Sequence, residues 1–405
     1  MSLLAEKNPR AGQHTHSGET MVPDKSRAER KTSYAVDDFP VPGGREEDWR
    51  FTPVDRLSPL FQVAPTESDK VTVDVQAPEG VEVDEVAAGE TGVGKPADRV
   101  SAVAWAGVEK ATRVRIAAEA ELAEPVRIVV HATDRARVNG HLVIEAGAHC
   151  RGTIVLSHRG SAECASNVEI SVADGADITF VTVQEWDADA LHVAQNDALI
   201  GRDARLRHIA VTLSGKVVRL STNARYSGPG GSFEGLGVYF ADAGEHQEHR
   251  LFVDHGVSHC HSNVEYKGAL QGDSAHTVWV GDVLIRAEAE GTDTYELNRN
   301  LVLTDGARAD SVPNLEIETG EIVGAGHASA TGRFDDEQLF YLQARGIPEA
   351  EARRLVVRGF FAEIVQRIGV PQVSERLMAA IEAELELTMA GASGKAGAPG
   401  EEESA

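Results

Sequence analysis

The chain is poor in cysteine: Cys150, Cys164 and Cys260 are the only three in 405 residues, and no two form a Cys-x-x-Cys pair. So sparse and odd a set excludes a disulfide framework and points to a reducing, cytosolic compartment. Aromatic residues make up only 5% of the chain, which speaks against the stacking platforms of a carbohydrate groove. Apolar runs are short, so none is long enough to span a bilayer as a helix. The first residues, MSLLAEKNPRAGQHTHSGET, lack a basic stretch followed by an apolar one and do not read as a secretory signal. Cations are outnumbered, 39 Lys and Arg against 64 Asp and Glu, for a net charge of −25. Phosphate backbones and anionic lipids are held by clustered Lys and Arg, so nucleic acid and membrane are excluded as main partners. The charge itself reads as solubility. The 42% hydrophobic content fits a globular chain long enough for two or three domains.

Residues 1–35 are polar and aperiodic and read as disordered. Residues 36–95 form a helical or irregular segment and linker. Within it, REEDWRFTPVDRLSPLF is anchored by Trp49, Phe51 and Phe61 and broken by Pro53 and Pro59. The Val-, Glu- and Gly-rich stretch from Val63 to Lys95 reads as edge strands or linker. From Val100 to Val323 short β-branched runs such as VRIVVHA, GTIVLSH, ITFVTVQ and HIAVTLS follow one another between Gly, Asp and Asn, a nearly pure strand pattern. Aligning GAHCRGTIV, GADITFVTV and DARLRHIAV puts Ala148, Ala176 and Ala204 28 apart, and one more step reaches Ser232. A fixed period with one turn per copy marks a stacked solenoid. A mainly β fold with a parallel β-helix core over residues 96–332 is therefore expected, with a β-sandwich as the rival. The register loosens after Tyr239, where ADAGEHQEHR reads as an inserted loop.

Residues 333–389 read as a helical domain. Asp335 opens a capping box with Gln338, the first helix stops at Gly346, and Pro348 stands at the first position of the next. Leu355, Val356, Phe360, Ile364 and Ile368 recur at helical spacing. Ser374 can cap a third helix with Leu377, Ile381, Leu385 and Thr388 on one side. Residues 390–405, low in complexity, read as a disordered tail.

The densest chemical cluster is DHGVSHCHSNVEYKG, with His255, His259, Cys260 and His261 within seven positions. Imidazole and thiolate bind zinc-like metals, but the second half of such a set is missing. The alternative is a buried Cys260 with the histidines on a polar face or a subunit contact. His246 and His249 read as part of a solvated turn. Asp273, Asp282 and Asp293 lie near strand ends, where carboxylates of β-helix lyases or hydrolases would work, although their spacing fixes no pair. His327 stands among Gly324, Gly326 and Ala328 at the end of the strands, where small neighbours let another chain approach.

HGVSHCHSNVEYKGAL and the long stretch from GTDTYELNRNLVL through VPNLEIETGEIVGAGHASATGRFDDEQLFYLQARGI resemble the SufB/SufD family of iron–sulfur cluster assembly proteins. REEDWRFTPVDRL is similar to the start of the SufD branch. The resemblance covers roughly residues 45 to 385. It implies a right-handed parallel β-helix with a C-terminal helical domain and a non-catalytic scaffold subunit. That subunit would form a heterodimer with a SufB-like homologue and dock a SufC ATPase; homodimers also occur in the family. His327 falls on the family histidine at the SufB–SufD interface, a ligand or relay for a transient iron–sulfur cluster shared with SufB, with FAD a further cofactor of the complex. Phe340, Tyr341, Leu355, Phe360, Phe361 and Ile364 would serve the ATPase-docking module. Two departures count: Ala325 and Ala307 stand where family members carry cysteines, so a thiolate must come from the partner. Outside the resemblance, two rival readings are a carbohydrate-active β-helix enzyme and a zinc-binding β-helix protein.

Overall fold

The structure, a computed structural model, describes residues 30–89, 92–333, 336–371 and 373–383. Its core is a parallel β-solenoid of about eight turns. After two long strands, β4 (Val126–Ala146) and β5 (Arg151–Val172), each coil gives one ten-residue strand to each of two faces. One face stacks the second half of β5, then β7 (Leu191–Ile200), β9 (Val217–Tyr226), β11 (His246–His255), β13 (His276–Ile285) and β15 (Arg308–Ile317). The other stacks the first half of β5, then β6 (Asp177–Trp186), β8 (Arg205–Ser214), β10 (Ser232–Ala241), β12 (His261–Leu270), β14 (Asp293–Val302) and β16 (Gly324–Arg333). Alternate side chains of each strand point inward, so both faces enclose one apolar column, from Ile178 and Phe180 to Trp279 and Ile285.

The coil length is not constant. Arg151 pairs with Asp177, 26 residues on, Asp177 with Arg205, 28 on, and His261 with Asp293, 32 on. The small buried residues that precede β5, β6, β8 and β12 are Cys150, Ala176, Ala204 and Cys260, so the equal 28-residue alignment through Ala148 is out of register by two. The expected loop at ADAGEHQEHR is likewise corrected. Only its first residues turn, and His246 to His255 form β11, in full register with β9 and β13.

Both sheet faces are covered, as buried parallel strands require. The N-terminal segment lies on the first face, where Trp49, Leu57, Leu60 and Phe61 pack with Val100 and Ala104 on Leu191, Val193 and Val217. A buried clamp pins it: Arg219 stacks 4.0 Å from the Trp49 ring and donates to Asp98 Oδ2 (2.9 Å) and Glu248 Oε1 (3.3 Å). Arg99–Ala106 is a helix (α1) within the stretch expected to be pure strand; Asp98 and Ser101 form its capping box. Residues 30–35, expected to be disordered, are placed, with Tyr34 Oη donating to the Gly94 carbonyl (3.2 Å). Residues 1–29 and the 390–405 tail lie outside the described residues. The Val63–Lys95 stretch contains β1 (Val71–Gln76) and β2 (Val81–Ala87), antiparallel to β4 and to β3 (Lys110–Ile116).

Helices α2 (Asp336–Ala344) and α3 (Glu349–Ile368) follow, with further helical residues at 373–383. Gly346, at φ +84°, ends α2 as expected. Pro348 is the N-cap of α3 rather than its first residue. Ser374 lies within the helical residues rather than before them, and its hydroxyl donates to the Val365 carbonyl. The capping box at Asp335 and the contacts of Leu385 and Thr388 fall outside the described residues. Val357, Phe361, Ile364, Val365 and Ile368 bury against Ile209, Val211, Leu236, Val238 and Phe240 on the second face. Arg367 bridges Glu234 and Glu265, and Lys267 Nζ lies 2.9 Å from Glu363.

Candidate functional site

The two ends of the solenoid differ. At the N-terminal end β1, β2 and β3 close over β4. At the other end, among the described residues, β15 pairs only with β13 and β16 only with β14. Both last strands therefore present unpaired backbone donors and acceptors, a ready template for another chain. Val323 (75% exposed) and Ile317 (45%) flank this open rim.

The inward side of the second face carries polar residues near that end. Register defines three neighbouring inward columns on the second face. One runs Phe180, His208, Gly235, Val264, Glu296, His327. The next runs Thr182, Ala210, Gly237, Tyr266, Asn298, Ser329, and its neighbour Gln184, Thr212, Tyr239, Gly268, Asn300, Thr331. All three columns are polar at β14, in Glu296, Asn298 and Asn300, as they already are in part in earlier coils at His208, Thr182, Gln184 and Thr212. Tyr239 Oη donates to Asn300 Oδ1 (2.6 Å) and accepts from Asn298 Nδ2 (2.8 Å), while Asn300 Nδ2 donates to Asn298 Oδ1 (2.8 Å).

His327 occupies the last place in its column and is exposed, with no further coil over it among the described residues. One coil beneath it Glu296 is fully buried, and neither carboxyl oxygen has a hydrogen-bond partner among the described residues. Burial, aided by the Asp282 charge, pushes its pKa up to about 8. Trp279 Nε1 is also buried and unpartnered among the described residues. Such orphaned groups cost stability and cluster at functional sites. The signal was legible as Glu296, Asn298 and Asn300 at alternate positions of TYELNRN, a period-2 polar face.

The His255–His261 cluster disperses. His255 ends β11, fully buried, stacked on Tyr226 with Nε2 2.9 Å from Ser262 Oγ; burial pushes its pKa down to about 3. His259 sits in a turn at φ +58°. Cys260 points inward, its Sγ 3.6 Å from the Gly228 carbonyl, with burial raising its pKa. His261 opens β12, exposed, 3.4 Å from Asp293. His246 and His249 are core residues of β11, 2% and 1% exposed, rather than parts of a solvated turn. Asp273 lies in a turn, Asp282 is buried within β13, and Asp293 is exposed at the start of β14, so they assemble no carboxylate pair. No group of three or more metal-binding side chains comes together among the described residues. Cys150, Cys164 and Cys260 are all buried, and burial lifts the Cys164 pKa to about 12, so none presents a thiolate at the open end.

The six docking residues divide. Phe361 and Ile364 are fully buried within the chain's own core, and Phe360 is partly buried beside them. Phe340 (71% exposed), Tyr341 (56%) and Leu355 (40%) remain on the surface. Phe361 and Ile364 are thus covered by the chain's own solenoid: helical spacing marks an apolar face but not which neighbour covers it.

Residues 129–360 match the family model described as SUF system FeS cluster assembly, SufBD core domain. An iron–sulfur cluster assembly SufBD family protein of Mycobacterium leprae is 56% identical over 366 residues, 88% of this chain and 93% of that protein. The SufD protein of Bacillus subtilis is 28% identical over 268 residues, 64% of this chain and 60% of its own. SufD of Escherichia coli is 27% identical over 212 residues, 52% of this chain and 50% of its own.

Proposed function

The chain belongs to the SufBD core family of the SUF iron–sulfur cluster assembly system, and from that premise we propose that it is a SufD-type scaffold. It pairs through its open end with a SufB-like homologue and docks a SufC-type ATPase on its C-terminal helices. The observation that carries this reading is the rim of β15 and β16 around His327, unpaired among the described residues, with the buried Glu296 one coil beneath. A second β-solenoid of the same family can continue both faces by edge pairing. A homodimer would use the same rim and compete with that pairing.

The cluster is cargo rather than a resident cofactor. This chain offers it an imidazole at His327, with the Glu296 carboxyl one coil deeper. With Ala325 and Ala307 at the rim and every cysteine buried, the thiolates come from the partner. In this reading the chain turns over no substrate. The ATPase supplies the driving energy, FAD belongs to the assembled complex, and the complex works in the cytoplasm. Phe340, Tyr341 and Leu355 form the apolar face left for the ATPase.

Anaerobic co-expression with the SufB- and SufC-like partners tests this. Co-purification of all three is expected; a chain that brings down neither partner overturns the proposal.

A further inference from the structure

Among the described residues, the buried carboxyl side chains are not alike. Glu169, Asp197, Glu245, Glu248, Glu265 and Asp282 each have at least one hydrogen-bond or ion-pair partner within the chain. Glu296 is the exception: it is fully buried, and neither of its oxygens is partnered. A carboxyl left alone in a core costs stability, and the fold gives no structural return for it. Such a group asks for a partner that is not yet in place.

The surroundings of Glu296 leave one direction for that partner. Beneath it in the column stands Val264. Beside it, Asn298 and Asn300 are taken up with each other and with Tyr239. Across the core, Gly281 only makes room: a Cβ there would stand 2.8 Å from Glu296 Oε1 and 2.4 Å from Trp279 Cη2. Above it in the column comes His327, exposed at the rim. Neighbouring strands lie about 4.8 Å apart, and this chain twice closes that step with an imidazole and a carboxyl. His141 Nε2 lies 2.9 Å from Glu169 Oε1 between β4 and β5, and His276 Nε2 lies 2.7 Å from Asp310 Oδ2 between β13 and β15.

We propose that Glu296 is the positioning residue for His327: when a partner closes the rim, the Glu296 carboxyl accepts one ring N–H of His327. The other ring nitrogen is then left unprotonated and turned outward, ready to meet a metal. A carboxyl on the far nitrogen fixes both the tautomer and the direction of a metal-binding imidazole. A carboxyl oxygen accepts in either charge state, so the role does not turn on the titration of Glu296. It rests on the part proposed for His327 in cluster assembly, and it explains how an imidazole on an open rim comes to hold a single orientation.

Anaerobic reconstitution of the full complex with ferrous iron and sulfide tests this, with the parent, Glu296→Leu, Glu296→Gln and His327→Ala side by side. Glu296→Leu removes the acceptor and should melt no lower than the parent, because an unpaired buried carboxyl goes with it. It should still co-purify with both partners, yet accumulate cluster about tenfold more slowly. The nitrogen coupling of its reduced cluster in pulsed EPR should also change. Glu296→Gln keeps an acceptor oxygen in place and should restore most of the rate. A slower rate without a lower melting midpoint is a result that a purely structural carboxyl does not give. A parental rate in Glu296→Leu overturns the proposal and leaves Glu296 and Trp279 Nε1 to a buried water. A lower midpoint or a lost partner in that variant overturns it as well, in favour of packing. A parental rate in His327→Ala removes the part proposed for His327, and that of Glu296 with it.

Discussion

Replacing Gly268 by alanine should destabilise the protein far more than one methyl group suggests. Gly268 stands on β12 directly beside Tyr239 on β10, and a Cβ there would fall inside the tyrosine ring. The ring has nowhere to go. It is fully buried, stacked on His249 with centroids 4.9 Å apart. Its hydroxyl is fixed by the hydrogen bonds to Asn300 and Asn298 described above. Overpacking a rigid core costs about 1–3 kcal/mol, and displacing the ring forfeits up to two buried hydrogen bonds at about 1 kcal/mol each. The sum is about 4 kcal/mol. With an unfolding entropy of about 0.7 kcal/mol/K for a chain of this size, the thermal midpoint should fall by about 6 °C. Gly359→Ala is the matched control: a Cβ there meets nothing within 4 Å in the middle of α3, so helix propensity alone should raise stability by up to about 1 kcal/mol. Circular dichroism melts of both variants measure the contrast. A Gly268→Ala midpoint within about 1 °C of the parent would refute the claim that this glycine exists to admit the ring.

Glu296→Gln should stabilise the chain in a pH-dependent way. The folded pKa of about 8 lies above the ordinary carboxyl value of 4.5, so folding favours the protonated form. The stability this contributes is full below about pH 4.5 and is lost as pH rises through about 8. The variant should match the parent near pH 4.5 and exceed it by about 3 kcal/mol at pH 7; urea titrations across that range showing a constant difference would contradict the burial argument. His327→Ala should leave the complex intact, since one exposed imidazole adds little to a large interface, while slowing cluster accumulation, read from visible absorbance under anaerobic reconstitution; a parental rate would remove His327 from the chemistry. Phe340→Asp with Tyr341→Asp should abolish co-purification of the ATPase without changing the melting midpoint, because both side chains are exposed. Retention of the ATPase by that double variant would move the docking face elsewhere.

The solenoid was legible because its signals are local. Strand alternation, turn residues such as Gly175 and Asp203 in left-handed backbone, and β-branched runs repeat within each coil. The helix α1 was hidden because VSAVAWA is short and apolar all round, buried on most sides, and periodicity cannot tell such a run from a strand. Strand β11 was mistaken for a loop because its His, Gln, Glu and Arg residues look solvated. In the structure they are buried by the Arg219–Glu248 clamp, by core aromatics and by the N-terminal segment, partners far away in sequence.

What the sequence determined by itself is the class of fold, the place where strands give way to helices, and the absence of a usable thiolate at Ala325 and Ala307. Tertiary structure decided which residues meet. Glu296 lies under His327, 31 residues apart, and Tyr239 beside Gly268, 29 apart. Coils elsewhere run to 26 or 32 residues, so no single period read along the chain can align those columns. Each coil's length is set by how its turn packs against the coils before and after, and that is known only once they are stacked.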